Sequence, residues 1–262
     1  MLRRHLRGGR RRIANAGAEL IAALVCLLFP SPCRLCGQSL RGARRLPVCG
    51  PCLGRLPGLE RPGCRQCGQA LAAASADGRC LRCQAAPPAY ASAQSAAPYR
   101  GEARALIHLL KYRGVVPIAG WWAERLARLV PALPQPPELV VPVPLGRRRR
   151  RQRGYNQSGE MARRLARRLG CAYAPRGLRR RRETAPQTGL DAAARERNLA
   201  DAFVGARRRV AGKRVLLVDD VLTTGATARA AAAALLDAGA LRVDVVTAAR
   251  AELDRPEAGE AA

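Results

Sequence analysis

Two adjacent carboxylates followed by a hydroxyl-rich turn carry the clearest chemistry in the chain. Asp219 and Asp220 come directly after the apolar run Val215, Leu216, Leu217 and Val218, and Thr223, Thr224, Gly225, Ala226 and Thr227 follow. The apolar run predicts a short parallel strand covered on both faces. Alanine-rich residues 226–238 predict a helix. The acids then stand at the carboxyl end of a strand, the edge at which open α/β sheets bind ligands. The turn opens a helix whose unpaired N–H groups and partial positive charge suit a phosphate. Gly225 permits a positive φ or a close backbone approach there. Paired carboxylates accept hydrogen bonds from the 2- and 3-hydroxyls of a ribose and help hold a hydrated Mg²⁺. Together the residues predict a site for a ribose 5-phosphate. The plainer alternative makes the acids a solvated strand end and Thr224 a helix cap.

Cysteine supplies a second chemistry. Eight of the ten cysteines form a duplicated pattern, in which Cys33, Cys36, Cys49 and Cys52 recur 31 residues later as Cys64, Cys67, Cys80 and Cys83. The flanks repeat too, CRLCGQSL against CRQCGQAL, and each unit has twelve residues between its CxxC pairs. That spacing predicts two tetrahedral Cys₄ zinc sites, with Gly37 and Gly68 easing the turn after each first pair. A module of this size, poor in large apolar side chains, needs metal to fold. Sequential ribbons and an interleaved cross-brace use the same eight ligands. Four thiolates leave no open position, so these zincs are structural. Cys26 and Cys171 fall outside the pattern and read as buried apolar residues.

The formal net charge of +28 is almost wholly arginine, since Lys111 and Lys213 are the only lysines. Residues 147–182 hold fifteen arginines against one acid, Glu160. Such a block predicts anionic partners, diphosphate or nucleic acid. Part of it is a solvated helix face: Arg163, Arg164, Arg167 and Arg168 lie opposite Met161, Leu165 and Leu169 at helical spacing. With two Trp, five Tyr and two Phe in the chain, a base-stacking platform is not expected. Residues 1–29 start basic and turn apolar, but Asn15 and Glu19 interrupt the run. They predict an amphipathic helix, docked on the cysteine module or lying on a membrane surface. No segment is apolar and long enough to span a bilayer, and a cytoplasmic location follows, with membrane association as the alternative.

The elements that must position these residues alternate. Helices are predicted over 101–112 and 117–130, a strand over 139–143, then a basic loop, a helix over 156–169 and a short strand over 171–174. A long polar segment, 176–214, precedes the Val215 strand, and helix 226–238 and strand 243–247 complete the series. Such alternation implies a mainly parallel sheet with right-handed crossovers. Pro87 and Pro88 mark a linker. The organisation is therefore 1–29 N-terminal helix, 30–86 double zinc ribbon, 87–250 α/β domain and 251–262 tail.

The string VLLVDDVLTTGAT closely resembles the phosphoribosyl diphosphate (PRPP) motif of type I phosphoribosyltransferases. VPVPLGRRRRRQRGYNQ, RRETAPQTGL and the pair Arg195 and Asn198 further resemble the ComF competence family, which joins a double zinc ribbon to a phosphoribosyltransferase domain. The resemblance implies the type I fold, PRPP as ligand with Mg²⁺, and ribose 5-phosphate transfer to a nitrogen acceptor. It implies that Asp219 and Asp220 contact the ribose and that residues 223–227 hold the 5-phosphate. Arg149 and Arg153 would clamp the diphosphate by paired N–H donors. Arg182, Thr184, Gln187, Arg195 and Asn198 would form a closing lid, or else a surface hairpin without chemistry. Asn156 and Gln157 orient the ligand or cap the next helix. Thr223 stands where 6-oxopurine transferases carry a catalytic Asp, which argues against a hypoxanthine or guanine acceptor. No general base is identifiable, and His108 reads as facing other residues of its helix. DNA uptake, with single-stranded DNA or uptake proteins as partners, is implied as well, as is a homodimer.

Overall fold

The computed structural model describes residues 32–40, 46–58, 63–71, 77–181 and 201–251. The predicted N-terminal helix, Cys26, the five lid residues and nearly all of the tail lie outside the described residues. The chain divides into two compact units, one up to Leu56 and one from Pro57 onward.

The first unit holds the first cysteine repeat. Its CxxC turn closes with Gly37 N–H bonded to the Cys33 carbonyl at 2.9 Å, and the second pair opens helix α1, Gly50–Gly54. The second repeat, in the other unit, reproduces these features residue for residue. Gly68 N–H meets the Cys64 carbonyl at 2.6 Å, and α2, Leu81–Ala85, starts from Cys80. Both turn glycines have positive φ, 75° and 71°.

The second unit is built on a five-stranded parallel sheet in the order β1-β7-β6-β2-β3. Its strands are β1 Ser92–Ser95, β2 Leu139–Pro142, β3 Ala172–Tyr173, β6 Arg214–Leu222 and β7 Arg242–Arg250. A separate antiparallel pair, β4 Leu178–Arg180 and β5 Phe203–Gly205, lies within the segment read from its sequence as long and polar. The predicted mainly parallel α/β architecture is present.

Alternation along the strands builds two cores. Leu139, Val141, Val215, Leu217, Val243 and Val245 pack with the alanines of α8, Ala226–Asp237, which comes after the short helix α7, Arg207–Val210. Val140, Leu216, Val218 and Val246 point to the opposite face. There α3 Gly101–Tyr112, α4 Ile118–Ala127 and α6 Gln157–Leu169 bury Leu106, Leu110, Trp122, Met161 and Leu165. Asp220 shares the parity of Leu216 and Val218, so its side chain turns to this helical face.

Three expectations need correction. The basic stretch after β2 is not a loop but helix α5, Arg147–Arg153, because arginine is a good helix former and Gly146 and Gly154 bound the run. Gly154 ends it in the left-handed conformation at φ 80°. The strand carrying the acids runs on to Leu222 because β7 continues beside it, whereas β2 stops opposite Val218. Cys171 is half-buried rather than buried, and its thiol donates to the Pro137 carbonyl at 3.2 Å.

Candidate functional site

Asp219 and Asp220 stand on β6 beyond the last residue of β2, so the sheet leaves their flank open to the helices. Helix α3 delivers Lys111, whose ammonium lies 2.8 Å from Asp220 Oδ1. The first turn of α6 delivers two more partners. Gln157 donates from Nε2 to Asp220 Oδ2, and Ser158 Oγ donates to Asp219 Oδ1 at 2.9 Å. The Asp220 N–H also reaches Asp219 Oδ1, at 2.9 Å. Arg153 closes the chain by donating from Nη1 to Gln157 Oε1. Burial, and then the neighbouring Asp220 charge, push the Asp219 carboxyl up to about 7. Burial pulls the Lys111 ammonium down, but the charge of Asp220, its hydrogen bond and the charge of Asp219 outweigh it, and the net shift is upward.

The hydroxyl-rich turn continues from the same strand. Gly225 precedes α8 with φ 82°, a conformation that glycine adopts without strain. A Cβ added there would lie 3.5 Å from an Arg229 nitrogen and 3.6 Å from the Tyr90 hydroxyl, so the turn is closely backed. Thr224 is buried and its Oγ1 accepts a long bond from Ala226 N–H, 3.4 Å. Gly225, not Thr224, occupies the cap position.

The structure thus brings Asp219, Asp220, Arg153 and the turn 223–227 to one end of the sheet. Arg149 is exposed one helical turn before Arg153, on the same face of α5. Asn156 bonds the Val143 carbonyl at 2.9 Å and makes no side-chain cap; Gln157 orients an acid. Sequence reasoning passed over Lys111 and Ser158. The scarcity of lysine was the available signal for Lys111, because an ammonium placed among so many guanidinia marks a position needing a compact charge. His108 bonds through Nε2 to the Tyr99 hydroxyl at 3.1 Å and is exposed. Arg163 and Arg164 bond Glu160, and Arg168 reaches Glu124 at 3.1 Å, so part of the basic face of α6 is paired within the protein.

Mg²⁺ does not fit this pair of acids. Three of the four carboxylate oxygens already accept protein N–H or O–H donors, and Lys111 adds a positive charge at contact distance.

The cysteines form two sequential groups, Cys33, Cys36, Cys49 and Cys52, and Cys64, Cys67, Cys80 and Cys83. This grouping is the ribbon arrangement rather than the cross-brace. Sulfur atoms stand 3.9 Å apart for Cys33 and Cys52, 3.7 Å for Cys36 and Cys49, and 3.7 Å for Cys67 and Cys80. Tetrahedral Zn–S bonds of about 2.3 Å set sulfurs roughly 3.8 Å apart, so both groups fit the ion. Donors already point at the sulfurs, as thiolates require: Cys49 N–H at 3.3 Å from Cys33 Sγ, and Arg55 Nη2 at 3.0 Å from Cys52 Sγ.

Residues 24–84 match the double zinc ribbon domain, and residues 156–261 match the phosphoribosyl transferase domain. DNA utilization protein YhgH of Escherichia coli K12 is 36% identical over 225 residues, covering 84% of this chain and 96% of that protein. Competence protein F of Haemophilus influenzae is 38% identical over 117 residues, covering 44% and 51%. The chain belongs to the ComF family. A solved glutamine PRPP amidotransferase from B. subtilis matches 51% of this ComF-family chain and 27% of its own, at 25% identity and a TM-score of 0.36. Among the described residues of the ComF chain, no helix is long and apolar enough to cross a membrane.

Proposed function

We propose that this ComF-family chain binds PRPP and serves in the handling of DNA during uptake, with transfer of ribose 5-phosphate to a nitrogen acceptor as its reaction. The observation that carries the reading is the acidic pair at the open edge of β6, held by Lys111, Gln157 and Ser158 beside the α8 turn. Asp219 and Asp220 take the ribose hydroxyls, and residues 223–227 take the 5-phosphate at the helix amino terminus. Arg153 and Arg149 take the diphosphate. In transfer, the acceptor nitrogen attacks the anomeric carbon as its bond to the diphosphate oxygen breaks. Pyrophosphate leaves with the bonding electrons and takes up the N–H proton that the acceptor loses. The sugar passes through an oxocarbenium-like state, so positioning and charge supply the catalysis. Any Mg²⁺ accompanies the diphosphate oxygens, apart from the acidic pair.

Calorimetry with PRPP on the zinc-loaded protein tests the shared premise. Heat of binding is expected, and its absence removes the phosphoribosyl reading. A second reading, a PRPP-binding factor without transfer, is favoured by Thr223 and by the engagement of His108 with Tyr99. Pyrophosphate release across a panel of nitrogen acceptors separates the two. The names of the relatives support the DNA role; its test is single-strand binding that weakens steeply with salt.

A further inference from the structure

Lys111 holds the acidic pair but touches no part of the ligand in the proposed PRPP chemistry, and its ammonium is largely enclosed. Its side chain is 15% exposed and that of Asp220 is 9% exposed, and they meet at 2.8 Å. The remaining oxygens are spoken for in turn. Gln157 takes the second oxygen of Asp220, and Ser158 with the Asp220 N–H takes one oxygen of Asp219. Asp219 Oδ2 is thus left, among the described residues, as the open acceptor of the pair. A divalent cation of the Mg²⁺ type wants six oxygens at about 2.1 Å. It would find one protein oxygen and face an ammonium held against the neighbouring carboxylate. The other groups that act on Lys111 are Asp219 and Tyr99.

We infer that Lys111 is the resident cation of the acidic pair, so that the pair recognises the ribose of a phosphoribosyl ligand without a bound divalent metal. The inference rests on the phosphoribosyl reading above. The ammonium neutralises Asp220, whose oxygens keep lone pairs for one ribose hydroxyl beside their Lys111 and Gln157 donors, and it leaves Asp219 to accept the other through its open oxygen. An ammonium does this where a guanidinium does not, because it is a compact point charge on a thin stem. Helix α3 fixes the position, since Leu110, immediately before Lys111, is fully buried. Lys111 is here a positioning residue: it acts on the ligand through Asp220.

The test uses ribose 5-phosphate as the probe, because it has no diphosphate of its own to carry Mg²⁺. Calorimetry is run on the full zinc-loaded chain in Mg²⁺-free buffer without chelator, and again with millimolar Mg²⁺. Wild type is expected to bind equally in both, within about twofold. Lys111→Met is expected to bind at least tenfold more weakly without Mg²⁺, and to regain affinity when Mg²⁺ is added. Wild-type binding that needs Mg²⁺ overturns the inference. So does undiminished binding by the variant, or a loss that Mg²⁺ does not recover. In each of those cases the phosphoribosyl reading survives. Wild-type protein that binds ribose 5-phosphate under neither condition overturns the inference, and the PRPP calorimetry above then decides the phosphoribosyl reading by itself. The wild-type arm needs no variant, so a requirement for Mg²⁺ there overturns the inference even where Lys111→Met fails to fold.

Discussion

Arg250, the last residue of β7, donates from Nη1 to the Cys67 carbonyl at 2.5 Å and directs Nη2 toward Cys67 Sγ at 3.8 Å. It also donates from Nη2 and Nε to Gln69 Oε1, at 2.9 and 3.1 Å. One buried guanidinium therefore ties the second zinc turn to the sheet, and the charge of a Zn(Cys)₄ centre offsets its burial. The main chain reinforces the tie, with Ala93 N–H of β1 bonded to the Gln66 carbonyl at 2.7 Å.

Replacing Arg250 with Ala strips partners from Gln69 and from the Cys67 carbonyl. The expected cost is about 3 kcal/mol, read as a lowered midpoint in chemical denaturation of the zinc-loaded protein. Arg250→Lys should restore less than half of it, because a single ammonium does not reproduce the planar fork.

Cys64→Ser should reduce zinc from two ions per chain to one, measured by elemental analysis. The same substitution should speed hydrogen exchange at the Ala93 amide, whose acceptor sits in the CxxC turn. Unchanged exchange at Ala93 would show that the metal does not support the sheet edge.

The apolar run 215–218 was legible as a strand because both of its faces are covered, and the helix over 101–112 was legible from its Leu106 and Leu110 face. The zinc ligands declared themselves by repetition alone. Edge strand β1 was not legible, since its sequence SAQS lacks strand formers. It is held by pairing, with Ser92 Oγ donating to Asp244 at 2.6 Å and Ser95 Oγ lying 2.7 Å from Thr247 Oγ1. The Lys111 to Asp220 contact was hidden for a different reason. It joins two elements distant in the chain, and no local pattern encodes such a meeting. The acids were readable because they follow an apolar run, the turn because it follows the strand that carries them, and Arg153 because it lies in the basic stretch after β2.

Asp219 predicts a pH dependence of stability. Its carboxyl is pushed up to about 7 in the fold, while an unfolded chain releases that proton near pH 4. Between those values the folded state holds a proton that the unfolded state has lost. Stability from this group is therefore full at low pH and is lost as pH rises through about 4 to 7. Denaturation midpoints of wild type, at fixed zinc, should fall between pH 5 and pH 8. Asp219→Asn should flatten the part of the slope that the wild type owes to this group, and an identical slope in both proteins would assign the effect elsewhere.

Gln157 offers the sharpest substitution at the site, because it sits between a guanidinium and a carboxylate with its amide oriented by both. Its Oε1 accepts from Arg153 and its Nε2 donates to Asp220. Gln157→Leu leaves Asp220 Oδ2 without its donor in a buried setting, at a cost of about 1–3 kcal/mol in stability. It should also weaken ribose 5-phosphate binding about tenfold, a loss of roughly 1.4 kcal/mol, by letting the carboxylate rotate. Gln157→Glu keeps the acceptor for Arg153 but turns the donor toward Asp220 into a third carboxylate. Like charges at hydrogen-bond distance do not both stay ionised, so one must hold a proton. Binding by Gln157→Glu should therefore match wild type most nearly at low pH and fall away as the shared proton leaves. Calorimetric titrations at pH 6 and pH 8 distinguish the two variants, since the Leu substitution introduces no such titrating group.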